Sequence, residues 1–227
     1  VDVDSAILHS VALTPRVPRW SQIKLAYAPG LVDGLLGVPY LNPRWSEDPG
    51  FTRGELLSRA VSFFHRECEV PACHMLSMMW GTGWPALWLH ENLDERTHTR
   101  AADLFGATSM NYYRHVNRMV KANGAVKYRQ SHPKYNRLPN NYFQYALEVE
   151  TPILFTTGED NRVFTDSNIV CFERLDRVAP GRHQLHIFEG YGHQDTFMGK
   201  NVARDIFPRL DEFMDEQRDK RLTGAEA

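Results

Sequence analysis

The chain has 227 residues, of which 42% are hydrophobic and 24% charged, and its formal net charge at pH 7 is −2. That length and composition fit one domain with a substantial core, and the near-neutral charge gives no reason to expect a nucleic-acid partner. No apolar run approaches the length of a transmembrane helix. Three cysteines do not form a disulfide framework, which favours a reducing compartment and a cytoplasmic location.

The chain opens on a predicted core strand, residues 1–14, whose apolar character ends at Pro15. Ser10 lies near its end and invites comparison with a catalytic nucleophile. A nucleophile turn is strained and needs small neighbours, but no glycine precedes Gly30. The sequence therefore favours a buried strand serine over a nucleophile at this position.

Residues 42–150 are predicted to be mainly a helical insertion between strands. Thr52 is followed by a glutamate at capping-box spacing, Thr108 or Ser109 can cap another helix, and residues 92–105 have the pattern of a third. A helical insertion in a parallel sheet commonly covers the end that carries the active site, where it excludes water. We expect a cap domain here.

Within this insertion, residues 75–88 are unusually rich in Met and Trp. Core packing is one interpretation of this pattern. The other is an adaptable apolar wall for a small lipophilic substrate, because Met changes shape easily and Trp offers a flat surface. The candidate substrate contacts on this interpretation are Trp80, Trp84 and Tyr113.

Four potential metal ligands lie between the predicted helices: His65, Cys68, Cys73 and His74. Zinc accepts both residue types, but adjacent Cys and His side chains rarely turn to one ion, and no second ligand pair of C-x-x-C type is present. A Cys68–Cys73 disulfide and buried structural thiols are the alternatives. We expect no metal from this set.

Residues 151–217 read as strand, acid-containing turn, helix, strand and histidine-containing turn. Asp160 follows the first of these strands and His193 the second. Functional groups collect at the carboxyl ends of parallel strands, which lie about 4.8 Å apart when they are neighbours. We therefore predict that Asp160 orients His193 as the acid and base of a catalytic triad; a helix cap and a surface histidine are the alternative. Residues 218–227 are predicted to be a flexible tail.

The motif Tyr-Gly-His-Gln-Asp at residues 191–195, with Gly-Lys-Asn at 199–201, resembles the α/β-hydrolase domain that follows the flavin domain in bacterial GMC oxidoreductases of the cholesterol-oxidase-like kind. Residues 68–74 and 104–106 support the resemblance. It implies an α/β-hydrolase-type doubly wound parallel sheet with a helical cap, of which residues 1–227 are the C-terminal part. It assigns the triad histidine to His193 and the acid to Asp160.

The same resemblance implies a nucleophile upstream of Val1 and, as a possible partner, an upstream flavin oxidoreductase domain. No glycine motif for a flavin occurs, so no cofactor is expected in this chain. Two functions follow. The first is hydrolysis of an ester of a sterol-like or lipid-like substrate through the triad. The second is a non-catalytic, hydrolase-like domain that supports or docks to the oxidoreductase.

Overall fold

The computed structural model describes residues 3–47, 50–65, 67–81, 86–129 and 131–224. The strands are β1 (Ala6–His9), β2 (Tyr40–Leu41), β3 (Thr108–Ser109), β4 (Ile153–Gly158) and β5 (Gln184–Phe188). The helices are α1 (Arg19–Gly30), α2 (Arg53–Phe64), α3 (Pro71–Trp80), α4 (Glu95–Thr99), α5 (Ala101–Leu104), α6 (Met110–Lys121), α7 (Phe143–Ala146), α8 (Ser167–Asp176), α9 (Asp195–Met198), α10 (Val202–Asp205) and α11 (Phe207–Gly224). None of the helices described has the length and apolar character that a membrane crossing requires.

The main sheet has three parallel strands in the order β1-β4-β5. Ala6 pairs with Ile153 on one side of β4, and Leu154 pairs with Gln184 on the other. Parallel neighbours need a crossover connection, and α8 supplies it between β4 and β5. The prediction of an α/β fold with a parallel sheet is confirmed.

Helices cover both faces of this sheet. Phe155 of β4 and Leu185 of β5 point to one face and pack with Leu175 of α8. Gln184, which points to the opposite face, donates to Glu216 of α11 at 3.0 Å and accepts from Arg209 of the same helix. The two faces bury different side chains because successive strand residues alternate in direction.

The segment between β1 and β4 is mainly helical and has its own core. The largest apolar cluster lies among α1, α2, α3 and α6, and includes Met75, Met79, Tyr113 and Val116. Ser109 caps α6, where its hydroxyl accepts from the Asn111 amide at 3.2 Å. The methionines of residues 75–79 that are fully buried fit the core-packing interpretation of this stretch.

Two predicted elements differ from the structure. The single helix expected over residues 92–105 is divided into α4 and α5, because Arg100 leaves helical geometry. Its start is also later than expected, since Asp94 caps α4 through the Thr97 amide at 2.8 Å. The tail expected to be flexible from residue 218 is instead helical to the end of α11 at Gly224. Residues 225–227 lie outside the part of the chain that is described.

Candidate functional site

The turns that follow β4 and β5 are packed against each other. The Asp160 amide donates to the Tyr191 carbonyl oxygen at 2.9 Å. A Cβ atom placed on Gly158 would lie 2.0 Å from the carbonyl oxygen of Gly192, so the contact requires glycine. The strand spacing correctly predicted that these two turns meet at one edge of the sheet.

His193 lies buried in the second of these turns, with 6% of its surface exposed. Its Nδ1 is buried and has no hydrogen-bond partner among the residues described. The ring packs edge-on against Phe164, with centroids 5.9 Å apart. Burial, and secondarily the nearby His9, lowers the pKa of His193 to about 4. The imidazole is therefore neutral at physiological pH, and a carboxylate partner would be needed to make it a stronger base.

Asp160, the predicted acid, is half-buried in the neighbouring turn. Among the described residues it makes no hydrogen bond to His193, whose Nδ1 stays unpartnered, so the predicted acid–histidine bond remains a prediction. A second carboxylate, Asp195, is fully buried and accepts from the Gly192 amide at 2.9 Å and from Asn92 Nδ2 at 2.7 Å. Burial raises the pKa of Asp195, and its hydrogen bonds hold the histidine turn rather than the ring.

Asn161 shapes the turn between β4 and α8, a role that the sequence analysis missed. Its Oδ1 accepts from the amides of Val163 and Phe164 at 3.1 and 3.0 Å, and its Nδ2 donates to Thr157 Oγ1 at 3.1 Å. Asn side chains favour such local turns. The signal available in the sequence was an Asn shortly after a buried strand. The hydrogen bonds of Asn161 fix the position of Phe164, whose ring packs on His193.

A second buried histidine, His9, ties the sheet to the histidine turn. Its Nδ1 lies 2.5 Å from Thr156 Oγ1 and its Nε2 lies 2.5 Å from Thr196 Oγ1. The Thr196 hydroxyl donates to the His193 carbonyl oxygen at 2.8 Å, so it accepts from an N–H on His9 Nε2. This chain of hydrogen bonds positions the backbone of His193 from β1.

Ser10, the residue after His9, adopts a left-handed backbone conformation with φ of 53°. Such a conformation in a residue other than glycine costs about 1–3 kcal/mol. The Ser10 side chain is buried, and its hydroxyl donates to the His193 carbonyl oxygen at 3.4 Å. Ser10 thus contacts the backbone of the turn and not the imidazole, which fits the buried strand serine favoured by the sequence.

Two of the three candidate substrate contacts line one cavity. Trp80 and Tyr113 line it from α3 and α6, and Phe164 lines it from the side that carries His193. Its volume is about 30 Å³, which holds only one or two water molecules. A larger ligand therefore requires these side chains to part. Trp84, the third candidate, lies outside the described residues.

Residues 87–92 connect the helical insertion to the histidine turn. The Leu87 carbonyl oxygen accepts from the Gln194 amide at 2.9 Å, and the Asn92 carbonyl oxygen accepts from the Lys200 amide at 2.7 Å. Asn92 Nδ2 also donates to the Gly190 carbonyl oxygen at 2.8 Å. Contacts on both sides of His193 thus depend on the position of this one segment.

The residues best placed to hold a metal are Cys68, Cys73, His90 and His98. One ligand atom from each lies within 4.8 Å of the ligand atoms of the others. Sequence analysis grouped the same two cysteines with His65 and His74. In the structure His74 instead bonds the Cys68 carbonyl oxygen through Nε2 at 2.7 Å. Both thiols are free, without the disulfide that was one alternative.

The pKa values of this cluster shift in opposite directions. Hydrogen bonding to Cys73 lowers the pKa of the Cys68 thiol, and hydrogen bonding to Cys68 together with burial raises the pKa of Cys73. Hydrogen bonding to Cys68 raises the pKa of His90. These directions favour negative charge on Cys68 over Cys73, beside an imidazole, which is the environment of a reactive or metal-binding sulfur.

Two comparisons with known proteins give no function for this chain, so a function has to be argued from the geometry. Neither a scan of the chain against models of protein families nor a search of curated proteins gave a match. The function therefore has to be inferred from the two converging turns, the buried imidazole and the helical segment between β1 and β4.

Proposed function

We propose that the protein is a hydrolase of the α/β-hydrolase kind that cleaves an ester of a lipophilic substrate. One observation carries the proposal: a neutral, buried imidazole with an unpartnered Nδ1, that of His193, lies at the carboxyl edge of a parallel sheet beneath a helical insertion. An imidazole in such a position can take a proton from a nucleophile and return it to the leaving group.

The other roles in the proposal follow from position. Asp160 stands in the adjoining turn, from which a rotation of its side chain towards Nδ1 would complete the acid–histidine pair. The nucleophile is proposed to come from a segment upstream of the residues described, since the Ser10 hydroxyl is bonded to a backbone carbonyl. Trp80 and Tyr113 are proposed to contact the acyl chain once their cavity opens.

A second candidate function is a non-catalytic domain that docks to a flavin oxidoreductase domain. It is favoured by β1, which forms an edge of the described sheet and leaves one side of its backbone available for another strand. The absence of any side-chain partner on His193 Nδ1 among the described residues also fits this function. Hydrolysis remains the first choice, because the turns that carry Asp160 and His193 are in contact at the carboxyl edge of the sheet, which docking does not require.

The test is hydrolysis of p-nitrophenyl esters with short and long acyl chains by the full-length gene product. We expect activity above the buffer rate, with long chains preferred to short ones because the cap residues at the cavity are apolar. A Ser10→Ala variant should keep its activity to within about tenfold, since the hydroxyl does not face the imidazole. Absence of activity on every ester would favour the docking function. Loss of activity in Ser10→Ala with an unchanged thermal melt would favour Ser10 as the nucleophile, because a disturbed turn would lower the melt as well.

A further inference from the structure

We propose that Cys68, Cys73, His90 and His98 form a four-coordinate Zn²⁺ site in the cap. The metal would take no part in any reaction of the His193 imidazole. It would be built from three separate segments: the connection between α2 and α3, the start of α3, and the stretch from residue 90 to α4.

The spacing of the ligand atoms fits zinc. Zn–S and Zn–N bonds of about 2.3 and 2.0 Å in a tetrahedron hold a sulfur and a nitrogen about 3.5 Å apart. Cys73 Sγ and His90 Nε2 are 3.3 Å apart, and all four ligand atoms lie within 4.8 Å of one another. Small side-chain adjustments would therefore close the shell without moving the backbone.

The ligand types select the metal and its role. Two thiolates and two imidazoles in tetrahedral array are typical of zinc, whereas hard cations prefer oxygen ligands. Four protein ligands leave no open position for water or substrate, which is the pattern of a structural site. Cys73 is buried and the other three ligands are half-buried, so the site is shielded from solvent yet open to metal entry.

The surroundings supply the contacts that support metal ligands. The Nε2 atom of His98 is buried without a hydrogen-bond partner among the described residues, and so is the indole N–H of Trp88. Trp88 belongs to the same apolar cluster as Cys73, where its N–H can donate to a thiolate. The bond from His74 to the Cys68 carbonyl oxygen fixes the loop that carries one ligand. Hydrogen bonds from the residues around the ligands orient those ligands in known metal sites.

The site would also fix the histidine turn. His90 lies two residues from Asn92, whose side chain donates to the Gly190 carbonyl oxygen and to Asp195. A metal that ties His90 and His98 to α3 would therefore hold residues 87–92 in place. Loss of the metal should loosen the turn around His193 although no ligand touches that residue.

The first experiment measures zinc in the full-length protein purified without chelator. We expect one zinc per chain in the wild type and in Cys171→Ser, which removes the buried cysteine of α8 outside the cluster. Cys68→Ser and His98→Gln should each lose most of the metal. An equal zinc content in wild type and both ligand variants would overturn the proposal, and so would metal-free protein whose mass shows a Cys68–Cys73 disulfide.

The second experiment uses only the wild type, so it does not depend on the folding of a variant. Replacement of zinc by Co²⁺ should give the visible bands of tetrahedral cobalt and a thiolate-to-cobalt charge-transfer band. Chelation should lower Tm by roughly 5–10 °C and speed amide exchange in residues 190–195. A cobalt spectrum without thiolate bands, or a Tm and exchange pattern unchanged by chelator, would overturn the site.

Discussion

A His193→Gln variant is expected to lose about 10²–10⁴-fold in kcat/KM for ester hydrolysis, the usual contribution of a positioned proton acceptor. Glutamine has a similar volume but cannot take up a proton. The hydrogen bonds that hold the turn go to the backbone carbonyl of His193 from Ser10 and Thr196, so they are kept in the variant. The buried amide should cost about 1–3 kcal/mol of stability because the site offers it no partner on the Nδ1 side, so activity is compared well below the Tm of the variant.

The matched control is His183→Gln. His183 is also buried with an unpartnered Nδ1, but it precedes β5 and therefore lies at the opposite end of the strand from the turn. Five strand residues separate the two ends by about 16 Å. We expect His183→Gln to keep its ester-hydrolysis activity whatever it does to stability. Equal activity in wild type and His193→Gln would exclude the proposed role of the imidazole.

A Gly158→Ala variant is expected to destabilise the fold by more than about 4 kcal/mol, which is exceptional for a single methyl group. The added Cβ would lie 2.0 Å from the carbonyl oxygen of Gly192 and 2.3 Å from that of Tyr191. Both atoms belong to the backbone and cannot rotate away. The two turns would have to separate, and urea unfolding would register the loss.

Gly106→Ala serves as the control for this change. No atom lies within 4 Å of a Cβ placed on Gly106, which is exposed after α5. We expect its free energy of unfolding to change by no more than about 0.5 kcal/mol. If Gly158→Ala were as stable as this control, the close contact between the two turns would be refuted.

Much of the sheet could be predicted because its signals are local. β4 is an apolar run bounded by Pro and Gly, β5 alternates in character before the glycine-rich turn, and α8 begins where Asp166 and Ser167 indicate a helix start. The parallel order of the strands then follows from the crossover helix. To predict that His193 lies at the sheet edge, only these local signals were needed, so the sequence alone was sufficient.

The ligand set of the cluster could not be predicted, because it depends on contacts between distant segments. His90 and His98 lie far along the chain from Cys68, and their spacing matches no short motif. The late start of the helix that carries His98 was also missed, since Asp94 caps α4 inside a pattern that looks continuous. Local periodicity carries no information about either feature.

The details of the histidine site were hidden for a similar reason. Strand spacing indicated that the Asp160 turn and the His193 turn meet, but not how the side chains rotate within them. His9 was not selected because a histidine in a strand is ordinary, and only the fold brings it between Thr156 and Thr196. Asn161 accepts hydrogen bonds from two nearby backbone amides, and their effect on Phe164 depends on the tertiary packing.

The pH dependence of kcat/KM for a long-chain ester tests the central claim most directly, since it reports the pKa of the essential base in the free enzyme. The base must be neutral, so activity should be present above the pKa of His193 and fall as the pH drops through it. We predict an acid limb near pKa 4 for the unpaired imidazole, and pairing of Nδ1 with the Asp160 carboxylate would move this limb to higher pH. The residual activity of His193→Gln should lack the limb. An acid limb of the same pKa in the wild type and in His193→Gln would contradict the account, because the titrating base would then not be the buried imidazole of His193.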